Sequence, residues 1–208
     1  MTLPLARIRA KKSAAEVALI QRATNAGIEA HRVAWKRIRA GLSEFQVAAT
    51  MSNFYFESGC ERHAYSPIVG SGINAATLHY SRNSRKMDSG ELLLMDVGPE
   101  CSMYATDITR TVPVGGKFTP RQRELYDIVL GAQKAAINAV KPGVMLGSRT
   151  TNSGIHQLVV DYFKNHGKDK LGKPWTRFYP QYWPPRRSRC ARSLRPFHSP
   201  GCWNGDYD

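Results

Sequence analysis

The sequence predicts an α+β domain in which two helices precede a hairpin-based sheet and two helices follow it. Three observations carry this expectation. Apolar residues recur at three- and four-residue steps from Val17 to Phe54. From His63 the texture changes to short β-like runs separated by Gly, Ser and Asp turns. At Thr119-Pro120-Arg121-Gln122 a helix-start signal restores the longer period.

Each element has a local reason. Ser13-Ala14-Ala15-Glu16 fits a capping box, in which the serine and glutamate side chains satisfy each other's backbone N–H groups. Val17, Ile20, Ala23, Gly27, Ala30, Ala34 and Ile38 then form one face, and Gly41 ends the helix. Ser43 caps a second helix, through Val47, Met51 and Phe54 to Gly59. His63 to Val69 is β-like, and Gly70-Ser71-Gly72 is a loop. Leu78-His79-Tyr80 is a short extended piece, and Asp88-Ser89-Gly90 is a turn. Glu91–Val97 reads as a buried strand, and Tyr104–Val114 as its return, closed by Gly115-Gly116. The helix from Thr119 carries Leu125, Ile128, Val129, Ala132, Ala136 and Val140, and stops at Lys141-Pro142-Gly143. A last helix spans residues 148–165, carrying Ile155, Leu158, Val159, Tyr162 and Phe163.

The hairpin raises a chemical question. In LLLMDVGPECSMYATDITRT (92–111) an apolar strand ends in Asp96 and returns through Asp107. A two-residue tip at Cys101-Ser102 sets these aspartates directly opposite each other, with Cβ atoms about 4.5–5.5 Å apart. Like charges so placed repel, and a buried strand makes the repulsion worse. A positive partner is expected between them. Arg110, Arg82 and Lys86 are candidates.

Composition bounds the rest. The 208 residues, 42% of them hydrophobic, suffice for one sizeable core. No run approaches the roughly 18 apolar residues of a membrane span. No apolar signal core follows the first residues, so the expected compartment is the cytoplasm. Cys60, Cys101, Cys190 and Cys202 form no C-x-x-C pair and suggest neither a zinc ribbon nor a disulfide framework; Cys101 reads as a turn residue. The formal net charge of +14 is spread over several segments and accompanies no nucleic-acid-binding motif, so it reads as solvated faces plus a basic tail.

That tail, from Gln181, follows no hydrophobic period and is rich in Pro and Arg. Synonymous codons for it, reread with one base dropped, can encode SIGHHVGLDVHDP. The expectation is therefore a reading frame that slipped near Pro180–Gln181.

Residues 7–177 resemble the catalytic domain of Xaa-Pro aminopeptidases and proline dipeptidases. These are the pita-bread metallopeptidases related to methionine aminopeptidase and creatinase. The residues that carry the resemblance are IRAKKSAAEVALI (8–20), PIVGSGINAATLHY (67–80) and GELLLMDVGPECSMYATDITRTVPVGGKFTPRQRELYDIVL (90–130). It implies an incomplete pita-bread fold: a curved, mostly antiparallel sheet with outer helices. It divides the chain into a basic leader or linker (1–12), a partial catalytic domain (13–177) and a basic, out-of-frame, disordered tail (178–208).

It implies two divalent ions, manganese foremost, with cobalt or zinc as options. Asp96 would bind one ion and Asp107 would bridge both. His79, in Leu78-His79-Tyr80, would be the catalytic histidine on the substrate side, where a hydrogen-bonded structural histidine is the alternative. His31, His63, His156 and His166 match nothing in the family pattern and read as surface or packing residues. The substrate implied is a peptide with proline at its second position, cleaved at the N-terminal Xaa-Pro bond. Family members are often homo-oligomers. The family's remaining ligands, one histidine and two glutamates, have no in-frame counterpart here, so this chain is expected to be inactive. The alternative function is a non-catalytic pita-bread binding module, with RNA as the candidate ligand given the charge.

Overall fold

A computed structural model describes residues 8–147, 153–169, 172, 173 and 175. The basic leader before residue 8 and the tail from 178 lie outside the described residues. Two units are distinguished, one up to Lys117 and the other from Phe118 onward.

The first unit opens with α1 (Ala14–Arg37), whose capping box is formed as expected between Ser13 and Glu16. Its buried face is made of the small residues Ala23, Ala26, Gly27, Ala30 and Ala34, joined by His31. Small residues let the helix axis approach the sheet closely. A Cβ added at Gly27 would come within 2.9 Å of the Ile108 side chain. Helix α2 (Glu44–Glu57) follows and buries Val47, Met51 and Tyr55 in the same core.

Six short strands come next: β1 (Arg62–His63), β2 (Ile68–Ser71), β3 (Leu92–Val97), β4 (Pro99–Cys101), β5 (Tyr104–Ala105) and β6 (Ile108–Pro113). A 3₁₀ turn at Gly72–Ala76 follows β2. The strands form two antiparallel ladders, ordered β2-β3-β6 and β1-β4-β5. In β3 the period-2 alternation sorts the faces. Leu93, Met95 and Val97 are buried in the helix-packed core, whereas Leu92, Leu94 and Asp96 point the other way and are half-buried. The expected uniformly buried strand is therefore one-sided, and Asp96 lies on the face away from the core.

The hairpin register differs from the expectation by two residues. Asp96 pairs with Thr109, and Cys101 with Tyr104. The two-residue tip is Ser102-Met103, at φ +50° and +71°, instead of Cys101-Ser102. Positive φ at both central residues is the geometry that matches the right-handed twist of the flanking strands. Cys101 is thus a buried strand residue and not a turn residue. It is also disulfide-bonded to Cys60, contrary to the reading of the cysteine spacing. Forty-one residues separate the two, a distance at which no short motif signals a pair.

In the second unit, α3 (Pro120–Ala139) starts with the expected capping box at Thr119 and Gln122. Helix α4 (Gly154–His166) starts later than the expected 148, and its buried anchor is Phe163, against which the Trp175 ring packs. Gly131 of α3 meets Tyr162 of α4 so closely that a Cβ there would collide with the phenol oxygen. Among the described residues no helix is long and apolar enough to cross a membrane.

Candidate metal centre

The two aspartates are brought together, but not as a directly opposed pair. Continued across Gly98, the register sets Asp107 opposite that glycine. Asp96 and Asp107 are then diagonal neighbours on one face, about 7–8 Å apart at Cα in an ordinary ladder. Gly98 has no side chain to fill the space between them. It is also pressed against the other strand: a Cβ there would collide with the Thr106 carbonyl. Only glycine allows the strands to meet at this point, and the vacancy it leaves lets the carboxylates converge.

They converge on one oxygen. Tyr65 Oη lies 2.5 Å from Asp96 Oδ1 and 3.0 Å from Asp107 Oδ1. Burial pushes the Tyr65 phenol far above its ordinary range, and its bond to Asp96 and the negative charges of both aspartates push in the same direction. The phenol therefore stays protonated, and its single proton serves two carboxylates. Asp96 is held above the usual carboxylate range by burial first. Its bond from Tyr65 lowers it, and the charge of Asp107 raises it again. The basic partners considered from the sequence do not fill the gap. Among the described residues neither Arg82, Lys86 and Arg110 nor any other arginine or lysine forms an ion pair with Asp96 or Asp107.

This donor set fits a divalent cation. Carboxylate oxygens are hard ligands suited to manganese-type ions. A carboxylate whose proton affinity is raised by a neighbouring negative charge is one that gains from a positive one. Among the described residues no cluster of three or more His, Cys, Asp or Glu groups forms a complete metal site.

His79 is placed separately. It is exposed, stands just after the 3₁₀ turn and has φ +56°, a left-handed backbone in place of the expected extended one. A non-glycine residue pays for that conformation, so its surroundings must impose it. The next residue supplies the anchor. Tyr80 is buried and donates to Glu44 Oε2 at 2.8 Å.

Glu44, in the first turn of α2, was not singled out by the sequence reading. It is fully buried and accepts five hydrogen bonds. Ser71 N and Oγ (2.7 and 2.8 Å) and Asn74 Nδ2 (3.1 Å) reach one oxygen; Tyr80 Oη and Arg85 N (2.9 Å) reach the other. Burial alone would raise its pKa. The bonds from Arg85, Ser71 and Tyr80 outweigh that and hold the carboxyl below its ordinary range. One carboxylate thus ties α2, the end of β2, the 3₁₀ turn and the 80–85 loop into the frame that carries His79. Tyr65 was missed as well. It lies between β1 and β2, where no periodicity distinguishes it. Of the histidines assigned to packing, His31 is buried and bonds through Nδ1 to the Gly27 carbonyl at 2.9 Å, and His63 packs edge-on against Tyr55 and Phe56.

With this geometry in place, known proteins show what the chain resembles. A profile of metallopeptidase family M24 matches residues 18–182. A probable Xaa-Pro aminopeptidase of Verticillium alfalfae is 44% identical over 139 residues, 66% of this chain and 25% of the fungal protein. The Xaa-Pro aminopeptidase of Escherichia coli is 40% identical over 139 residues, 67% of this chain and 32% of its own length. Among solved structures, zinc-substituted Escherichia coli aminopeptidase P in complex with product superposes with a TM-score of 0.72 at 36% identity, covering 76% of this chain and 35% of that one. Proline aminopeptidase P II from Yersinia pestis gives the same TM-score at 38% identity. The α+β pita-bread class expected from the sequence is the class of these structures. The chain spans about a third or less of the length of these relatives.

Proposed function

The chain belongs to metallopeptidase family M24, and from that premise we propose that it carries part of the active centre of a metal-dependent aminopeptidase acting on N-terminal Xaa-Pro bonds. Asp96 and Asp107 are its metal ligands, with manganese as the proposed ion. His79 is its substrate-side histidine. The observation that supports this reading is the convergence of both aspartates on Tyr65 Oη without a basic residue between them. A bound divalent ion supplies Lewis-acid chemistry toward a peptide carbonyl. The residues here do the rest. Asp96 and Asp107 present hard oxygens on the face of the sheet away from the core. Tyr65 holds the two carboxylates at a fixed separation with its one proton. The Glu44 knot holds the loop that carries His79, which is exposed to solvent. The proline preference rests on the similarity to Xaa-Pro aminopeptidases alone.

The test is a manganese titration of the purified chain, read as loss of the free-ion electron paramagnetic resonance signal. Saturable uptake that disappears in Asp107→Asn is the expected result. Uptake that is unchanged by that substitution would remove the ligand assignment.

A further inference from the structure

We propose that the Cys60–Cys101 bond is a thiol-operated latch on the hairpin that carries Asp96 and Asp107, setting how firmly Tyr65 is held between them. Its bearing on cation binding rests on the ligand assignment above.

Residues 60–65 run from the end of α2 to Tyr65. This segment leaves α2 at Cys60, whose N–H donates to the Tyr55 carbonyl at 3.0 Å. It meets the hairpin at four points, one of them the Glu61 carboxylate, which accepts from the Ser102 N–H at 2.7 Å. At one end Cys60 is bonded to Cys101, the last residue of β4. In the middle β1 pairs with β4, Arg62 against Glu100 and His63 against Pro99, and Ala64 N donates to the Gly98 carbonyl at 2.9 Å. At the far end Tyr65 bridges the aspartates.

The middle tie is weak by construction. Strand β1 has two residues, and one of its partners, Pro99, has no N–H to give. The Arg62–Glu100 ion pair (3.3 Å) joins an exposed arginine to a buried carboxylate, whose desolvation offsets the attraction, so its net contribution is small. A register this weakly specified by hydrogen bonds slips readily. The Glu61–Ser102 bond is made by an exposed carboxylate that water can replace. The covalent bond is the tie that water cannot replace, and it sets the reach of Tyr65.

Opening the latch is thiol–disulfide exchange with a dithiol reductant. One thiolate attacks one sulfur to give a mixed disulfide. The reductant's second thiolate then displaces the remaining cysteine sulfur. The reductant leaves as its own disulfide, having given two electrons, and Cys60 and Cys101 each take up a proton. Both cysteines are buried, at 2% and 0% exposure, so exchange waits on opening of the exposed Ser102-Met103 tip. That requirement makes the latch slow.

The 208-residue chain tests this in three forms kept free of metal: oxidised, reduced with dithiothreitol, and as Cys60→Ser/Cys101→Ser. Peptide mapping after alkylation first separates these cysteines from Cys190 and Cys202. Hydrogen exchange across residues 60–65 and 98–106 is expected to speed up about tenfold or more in the reduced and substituted forms, while α3 is unchanged. Equal exchange in all three forms, or full alkylation of Cys60 and Cys101 in never-reduced protein, overturns the latch. If the double variant fails to fold, the reduced wild-type chain carries the comparison.

Manganese uptake by the oxidised and the anaerobically desalted reduced protein forms the second arm. A severalfold weaker uptake after reduction supports the coupling, and equal uptake overturns it. Altered exchange with no manganese uptake in either state removes the ligand assignment and leaves the latch standing.

Discussion

Tyr65 shows how much one side chain can decide. Two carboxylates on one sheet face repel, and the phenol turns that repulsion into a bridge by offering one proton to both. Tyr65→Phe removes the proton and leaves the ring. In metal-free protein it should lower the free energy of unfolding by about 1–2 kcal/mol, seen as a lower urea midpoint with an unchanged slope. An unchanged midpoint would mean that the bridge contributes nothing to the fold. Glu44 works with the opposite sign of the electrostatics, since five donors surround one buried carboxylate. Its folded pKa lies below the ordinary glutamate range. Its contribution is therefore present in full above that range and is lost as pH falls through the folded value. Glu44→Gln should cost about 3 kcal/mol near pH 7, because an amide nitrogen would then face groups that themselves donate. The gap between wild type and variant should close as pH drops below about 4. A gap independent of pH would show that shape, and not charge, fills that site.

At the scale of elements, helices were far more legible than the hairpin. Ser13 with Glu16 and Thr119 with Gln122 are local signals, complete within four residues, and both capping boxes are formed where they were read. The register of β3 on β6 is a non-local quantity and depends on which two residues take positive φ. Nothing in Cys101-Ser102-Met103 favours that conformation, since the usual Asn-Gly signal is missing. The tip therefore read two residues out of register, and a directly opposed pair of aspartates was expected where the structure has a diagonal one. The error left both aspartates on the same face, because a shift of two preserves the pleat. The hairpin is strained at its tip. Ser102 and Met103 are non-glycine residues at φ +50° and +71°. Replacing them with Asn and Gly should raise stability by about 0.5–1 kcal/mol, the strain relieved being partly offset by the backbone entropy of glycine. A thermal melt that falls instead of rising would argue against this turn geometry.

At the scale of the whole molecule, family membership was legible from three stretches of sequence, residues 8–20, 67–80 and 90–130, because each carries its pattern within contiguous residues. Tyr65 and Glu44 were not legible, because each acts through partners distant in sequence: Asp96 and Asp107 for one, Ser71 to Arg85 for the other. What the assembled residues can do follows from ligand count. Among the described residues, Asp96 and Asp107 are joined by no further histidine, cysteine or acidic side chain. Two carboxylates hold a divalent ion weakly, with a dissociation constant on the order of 1 mM. At about 10 mM manganese, a site of that strength should stabilise the folded chain by RT ln(1 + [L]/Kd), roughly 1.4 kcal/mol. The urea midpoint should rise accordingly in wild type and stay fixed in Asp96→Asn/Asp107→Asn. Under the same conditions this 208-residue chain should release no amino acid from a Xaa-Pro peptide, since an ion so loosely held is not positioned against a carbonyl. A midpoint indifferent to manganese would remove the metal assignment. Hydrolysis at enzymatic rates would show that ligands beyond these two complete the site within this chain.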